Sequence, residues 1–412
     1  MNIFEKLPHE LIVMVIQQID DFVGLESLLA CSPWVNAVFR DRPRRRLLDV
    51  ISINPMTQTP DIIELFRNII LIRCTYCRSF EEYRLRCRDT TNILLQYMTL
   101  SEIFEAIHVA AQIQRLACLC LSIMQQNFTN ALRHTPRMHS PFCSSAPDCS
   151  RIPGASEPPI WIEEYRVYWS LWHLQHYSDL QMAAHGRWHW SGESKRTLEA
   201  YNTWAHTFST RPNVSYLAEQ ILSITSVLMD LWIYPVYQEE PVWAAWEYTM
   251  ETPIISFTFS RLPALLAMRT ENYRVWAAPP IPRETDVETA WGRTVNQRNQ
   301  PTRFTRLFRA YSERASISRG ILDLRMLQPY RRLGVVFWNQ WRMYTAGISY
   351  ECWQSKSTPN GGVINRRSST TGRIPRMSEY NLWSMWLQLV GKRLPSRNAQ
   401  GQRKYYGEFR VC

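Results

Sequence analysis

The segment EIFEAIHVAAQIQRLACLCLSIM (102–124) most constrains the fold, because its apolar residues recur at helical spacing over its whole length. The segments IIELFRNIILI (62–72), NILLQYM (92–98) and WIEEYRVYWSLWHLQHYSDLQ (161–181) have the same kind of pattern. No run of the chain alternates apolar and polar residues as a half-buried strand does. No internal period of about 20–50 residues is visible either. We predict a mainly α fold without repeat architecture.

The first forty residues contain two apolar helix patterns. The first has its apolar positions at Leu7, Leu11, Ile12, Val15, Ile16 and Ile19. Pro8 suits the first turn of this helix, and Asp20-Asp21 ends the pattern. The second pattern has its apolar positions at Leu25, Leu28, Leu29, Trp34, Val35, Val38 and Phe39. So short a unit rarely buries all its apolar surface alone. We expect a surplus stripe, including Leu7, Ile12, Ile16 and Leu25, to be covered by a partner or by the helices of residues 60–125.

Length and composition indicate a globular chain of more than one unit. The chain has 412 residues, of which 45% are hydrophobic and 20% charged, and such a length corresponds to about two or three domains. The segment 134–160 is rich in Pro, Ser and Cys, which indicates a linker or loop. The body after it holds 16 of the 17 tryptophans. We predict a unit at 1–50, a helical region at 51–133 packed behind it, the linker at 134–160, and an aromatic-rich helical body at 161–412 with mobile loops near 277–286 and 356–376.

Nothing in the sequence predicts export or a membrane span. The N-terminus MNIFEKLPHE carries charges where a signal peptide would be apolar. The most apolar candidate span, ILSITSVLMDLWIYPV (221–236), is interrupted by Asp230 and Pro235. Cys31, Cys118 and Cys120 lie in apolar helical patterns and are expected to be reduced core residues. We therefore expect a cytoplasmic or nuclear protein with no membrane partner.

Basic residues are concentrated in the last third of the chain. Residues 269–412 hold 25 Lys/Arg and 9 Asp/Glu, a net charge of +16, whereas residues 1–268 carry a net charge of −5. No nucleic-acid motif accompanies this charge, so a solvated surface is favoured over nucleic-acid binding. A second basic cluster, RPRRR (42–46), is interpreted either as an import signal or as cations that the dipole favours at the end of the third helix.

Metal and catalytic sites are weakly supported. Cys74-x2-Cys77 with Cys87 lacks a fourth ligand, and His134, His139, Cys143 and Cys149 match no recognised zinc spacing. His173 and His176 share one helix face, but tryptophans flank them, which favours aromatic packing. No nucleotide-binding, hydrolase-elbow or metalloprotease signature is present. We expect no metal, no cofactor and no enzymatic activity.

The stretch LPHELIVMVIQQIDDFVGLESLLACSPWVNAVF (7–39) resembles an F-box, a short three-helix motif. The matching residues are Leu7, Pro8, Glu10, Leu11, Val15, Ile19, Leu25, Leu28, Leu29, Cys31, Ser32 and Trp34. The variant LLACSPWVNAVFRD is similar to the one found in filamentous-fungal F-box proteins. The segments WIEEYRVYWSLWHLQ (161–175) and RRLGVVFWNQWRM (331–343) resemble stretches that recur in the bodies of that group.

This resemblance implies a substrate-recruiting subunit of a cullin-type ubiquitin ligase. The box would dock a Skp-type adaptor and, through it, a cullin, while the body would present an unknown protein target. The expected adaptor contacts are Leu7, Pro8, Leu11, Val15, Ile19, Leu25, Leu28, Leu29 and Trp34, with Leu7-Pro8 and the leucines at 25–29 on one accessible apolar face. One alternative is a helical interaction scaffold in which the box is only a folding unit. A weaker alternative is a basic protein associated with nucleic acid.

Overall fold

The computed structural model describes residues 3–89, 98–134, 157–201, 216–233, 328–339, 342–343 and 346. Within these ranges the chain is helical and has no strands, which confirms the mainly α prediction. A short 3₁₀ turn (Ile3–Lys6) precedes the helices α1 (His9–Gln17), α2 (Phe22–Cys31), α3 (Pro33–Asp41), α4 (Pro43–Ile53), α5 (Pro60–Cys74), α6 (Phe80–Asp89), α7 (Leu100–His134), α8 (Trp161–Met182), α9 (Gly192–Tyr201), α10 (Tyr216–Ile233) and α11 (Gln328–Arg332).

Several predictions fall largely or wholly outside the described residues. They concern the segment NILLQYM, the linker at 134–160, the loops near 277–286 and 356–376, and most of the basic part at 269–412.

Polar side chains cap the first turns of helices α2 and α3 in the N-terminal unit. Pro8 is the residue before α1, so that helix begins at His9, one residue later than the predicted first turn. The Asp21 carboxylate accepts a hydrogen bond from the Gly24 amide, and the Ser32 hydroxyl accepts one from the Val35 amide. Both contacts satisfy amides that a helix start would otherwise leave unpaired. Asp21 and Ser32 therefore fix where α2 and α3 begin.

The basic cluster RPRRR lies at the start of a fourth helix. Pro43 occupies the first position of α4, and Arg44, Arg45 and Arg46 follow it in the first turn. Helix α3 ends at Asp41, so the prediction that these cations sit at the end of the third helix, where the dipole would favour them, is wrong. Individual contacts hold two of them: Arg44 Nε donates to the Met98 carbonyl at 2.8 Å, and Arg45 Nε lies 3.1 Å from the Asp49 carboxylate.

One large apolar cluster joins the N-terminal helices to the later ones. It runs from Ile12 to Ala346 and includes most of the buried apolar residues of α1 to α5, α7, α8 and α10. The end of α5 and the end of α8 contribute Leu71, Ile72 and Leu180 to a second, smaller cluster with α6 and α9. Helix α2 packs along α7, and α8 packs on α5, α7 and α10. The predicted boundary near residue 50 is therefore not marked by a separate core. The body residues Tyr165, Tyr168, Leu171, Trp172 and Leu174, which recur at helical spacing on α8, are buried in the same cluster.

Two predictions about apolar residues need correction. Cys118 and Cys120 are buried, as predicted, but Cys31 is exposed at the end of α2. By length and composition α7 is long and apolar enough to cross a membrane, whereas the segment at 221–236 lies partly outside the described residues. In this fold, 72% of its most apolar window is buried inside the protein.

Candidate docking face

Helix α1 carries an apolar stripe that faces solvent. Leu11, Met14 and Val15 have exposed fractions of 44%, 57% and 37%. Positions three and four apart lie on one side of a helix, so these side chains form one patch. Ile12 and Ile16, on another side of α1, are fully buried in the core. The helix is therefore apolar on both its buried and its exposed sides.

Helix α3 packs against α1 and also carries an exposed aromatic side chain. Trp34, in the first turn of α3, is 47% exposed, whereas Val35, Val38 and Phe39 are buried. His9 Nε2, at the start of α1, lies 3.8 Å from the carboxylate of Asp41 at the end of α3. We define the α1–α3 face as the exposed residues Pro8, Leu11, Met14, Val15 and Trp34.

The nine predicted contact residues are not equally accessible. Leu25 and Leu29 are only 0% and 4% exposed, so the prediction that the leucines at 25–29 share an accessible face with Leu7-Pro8 is wrong for these two. The reason is that α2 packs along α7, which covers its apolar side. Leu7, Ile19 and Leu28 are half-buried against the same core. Among the predicted residues, Pro8, Leu11, Val15 and Trp34 are exposed.

Polar contacts also fix α2 onto α7. The Gln114 side-chain oxygen accepts hydrogen bonds from the Phe22 and Val23 amides, at 3.0 and 3.3 Å. The Glu26 carboxylate lies 2.6 Å from both Arg115 and His108 of α7. The start of α2 is thus capped by a side chain more than ninety residues away in sequence. These contacts hold the N-terminal helices in one position against the rest of the protein.

The sequence prediction missed Met14 and misplaced part of the apolar stripe. Met14 is more exposed than Leu11, Val15 and Trp34, and it lies three residues after Leu11. An apolar residue three positions after Leu11 lies on the same side of the helix, and this spacing could have identified Met14 from the sequence. Ile12 and Ile16 were expected in the surplus stripe, but they are core residues of the chain itself.

The candidate metal ligands do not assemble in the described part of the chain. There, no three His, Cys, Asp or Glu side chains lie close enough together to hold a metal ion. His139, Cys143 and Cys149 lie outside it. Burial raises the pKa of the Cys74 thiol to about 12 and those of Cys77 and Cys87 to about 11. These thiols therefore stay protonated at neutral pH and are poor nucleophiles.

The predicted histidine pair is held by aromatic packing. The His173 ring lies 4.0 Å from the Trp169 ring, and His176 Nε2 is 2.5 Å from the Tyr83 hydroxyl. The interpretation of both as packed residues is confirmed.

Comparison with protein-family models, curated proteins and solved structures gives no match for this chain.

Proposed function

We propose that this chain is an F-box-type adaptor-binding protein that docks a Skp-type adaptor through the α1–α3 face and presents a protein target on its helical body. The observation that carries this proposal is the joint exposure of Leu11, Met14 and Val15 on a helix whose other apolar side is buried. The resemblance of residues 7–39 to an F-box supports the same assignment. The protein would act by proximity, raising the effective concentration of its target near the ligase.

The energetics favour a protein partner for this face. A single exposed apolar side chain is ordinary on a protein surface, whereas several adjacent ones mark an interaction site. Fully burying one large apolar side chain contributes about 1.5–3 kcal/mol. Leu11, Met14, Val15 and Trp34 are already partly covered, so each would contribute a fraction of that amount. Trp34 supplies an exposed tryptophan on the neighbouring helix α3, and tryptophan is enriched in protein–protein interfaces.

The second candidate function is a helical interaction scaffold whose F-box-like segment serves only for folding. It is favoured by the burial of Leu25 and Leu29 under α7, which removes two of the predicted contacts. In that case the α1–α3 face would bind no adaptor. The two functions therefore differ in one measurable property, which is affinity for the adaptor.

The test is a titration of the full chain with a purified Skp-type adaptor. We expect micromolar or tighter binding by the wild type. The double variant Leu11→Asp, Val15→Asp should weaken it more than about tenfold, because the carboxylates would be buried without partners. Met182→Asp is the matched control: Met182 is 46% exposed on α8. The proposal fails if the wild type does not bind, or if the control variant loses as much affinity as the double variant.

Leu7 and Pro8 are less suitable positions for this test, although the resemblance points to them. Leu7 is half-buried and packs against the core, so its truncation changes stability as well as surface. Pro8 precedes α1 with backbone angles that set the entry of the chain into the helix. Leu11 and Val15 lie within α1 and expose more of their surface than Leu7 does. Substituting them changes the surface while leaving the core intact.

A further inference from the structure

Met14 carries the one thioether among the residues of the α1–α3 face, and its side chain is exposed. It follows Leu11 by three residues and directly precedes Val15 within α1. Peroxides oxidise the thioether of methionine, whereas the aliphatic side chains of Leu11 and Val15 are inert to them. Met14 is therefore a point at which mild oxidation can change the chemistry of this face.

Oxidation of Met14 would place a polar group within the apolar stripe of α1. The thioether sulfur attacks one oxygen of hydrogen peroxide: an S–O bond forms, the O–O bond breaks, and the departing hydroxide takes up the proton of the transferred hydroxyl to leave as water. The sulfur is oxidised by two electrons, and the peroxide is reduced. The sulfoxide is polar, and its oxygen accepts hydrogen bonds. Burying such an acceptor against an apolar partner, without a donor, is unfavourable.

The same reaction should leave the fold intact, because Met14 faces solvent. Helix α1 contributes Ile12 and Ile16 to the core, and both are fully buried. A sulfoxide at Met14 stays hydrated in the unbound chain, so it costs little free energy there. Met56 and Met124 are buried in the core, where peroxide reaches the sulfur slowly. Oxidation at Met14 would therefore change docking rather than folding.

We propose that Met14 is a reversible oxidation site that controls docking at the α1–α3 face. This inference rests on the proposed function, because it takes the Skp-type adaptor as the occupant of the face. With the thioether the stripe is apolar and binds the adaptor, and with the sulfoxide the adaptor is released. A methionine sulfoxide reductase reverses the change: a dithiol is oxidised to a disulfide, the sulfoxide oxygen leaves as water, and the thioether is restored.

The test measures the affinity of the full chain for a purified Skp-type adaptor before and after treatment with dilute hydrogen peroxide. For the wild type we expect the affinity to fall about tenfold, because an unpaired acceptor would be buried in the interface. The loss should follow the fraction of Met14 that is sulfoxide, measured by mass spectrometry of peptides through the time course. Treatment with a methionine sulfoxide reductase and a dithiol should restore the affinity.

Two leucine variants separate Met14 from the other methionines, and each is compared with its own untreated form. Met14→Leu removes the sulfur and keeps an apolar side chain of similar size, so peroxide should not weaken its binding. Met182→Leu is the matched control, because Met182 is also exposed but lies on α8, and peroxide should weaken its binding as much as that of the wild type.

The outcomes distinguish this proposal from the proposed function. If the untreated wild type does not bind the adaptor, the proposed function fails, and the oxidation site fails with it. The oxidation site alone is overturned if the untreated wild type binds and the oxidised wild type binds as tightly. It is also overturned if the loss of affinity does not follow the Met14 sulfoxide fraction, or if Met14→Leu loses as much affinity on oxidation as the wild type.

Discussion

Arg342 and Glu163 form a buried ion pair that joins two segments 179 residues apart in sequence. Arg342 Nη2 donates to Glu163 Oε2 at 2.8 Å, and its Nε donates to Oε1 at 3.0 Å. Burial alone would lower the pKa of Arg342, but the charge and hydrogen bonds of Glu163 raise it. The Glu163 carboxylate also accepts from the Asn339 and Ile160 amides. The start of α8 and the segment that contains Asn339 and Arg342 are thus in direct contact.

Glu163→Gln should therefore destabilise the protein strongly. The variant removes the carboxylate that pairs with the buried Arg342 guanidinium, and breaking a buried ion pair costs about 3–5 kcal/mol. The measurement is the free energy of unfolding from denaturant titration. Glu193→Gln, at an exposed position in the first turn of α9, is the control and should change it little. A decrease of less than about 1 kcal/mol in the free energy of unfolding of Glu163→Gln would contradict a stabilising role for this ion pair.

Gln114→Leu should loosen α2 from α7. The substitution removes the acceptor for the Phe22 and Val23 amides, and a buried donor left unpaired costs about 1–3 kcal/mol. Hydrogen exchange of those two amides should become faster than in the wild type. Gln112→Leu, two residues earlier on the same helix and partly exposed, serves as the comparison. If both variants speed the exchange of the Phe22 and Val23 amides equally, then loss of the hydrogen bonds to α2 is not the cause of the faster exchange.

Gly334→Ala should lower the melting temperature. Gly334 has a φ of +65°, and a Cβ atom there would lie 2.8 Å from the Met124 sulfur. The left-handed conformation costs a non-glycine residue about 1–2 kcal/mol, and the clash with buried Met124 adds to it. Gly186→Ala, where a Cβ atom would meet nothing within 4 Å, should have a melting temperature close to that of the wild type. A Gly334→Ala variant as stable as the wild type would refute this account.

The His173 and His176 pair should make the protein sensitive to mild acid. Burial lowers the pKa of His173 to about 3 and that of His176 to about 4, below the value of about 6.5 expected in the unfolded chain. The unfolded chain therefore binds more protons between these values, and the free energy of unfolding falls as the pH drops below 6.5.

The variant His173→Phe isolates this contribution from that of the carboxylates. It keeps a ring against Trp169 but removes one titrating group, so its stability should fall less steeply between about pH 6.5 and pH 4. The measurement is the denaturant midpoint across that range. If the denaturant midpoint falls equally steeply with pH in the wild type and in the variant, then His173 is not the cause of the acid sensitivity.

The sequence predicted the helices well because their apolar spacing is a local property. The predictions of helix at 62–72, 102–124 and 161–181 are confirmed by α5, α7 and α8. The start of α4 was missed, although Pro43 at its first position was an available signal.

The exposed and buried sides of α1 could not be separated from sequence, because both are apolar. Ile12 and Ile16 are core residues, whereas Leu11 and Val15 are exposed. Which leucines of α2 are buried depends on α7, which begins only at Leu100. A pattern within forty residues contains no information on that packing. For the same reason, the capping of α2 by Gln114 could not be predicted from the sequence.

Oxidation of Met14 is the most direct test of the α1–α3 face as an adaptor-binding surface. Met14 is 57% exposed and Met182 is 46% exposed, so both should react with dilute peroxide, whereas buried Met56 and Met124 should react slowly. Mass spectrometry of peptides gives each rate with and without a saturating Skp-type adaptor. We predict that the adaptor slows the oxidation of Met14 and leaves that of Met182 unchanged. An unchanged rate at Met14 would contradict the proposal.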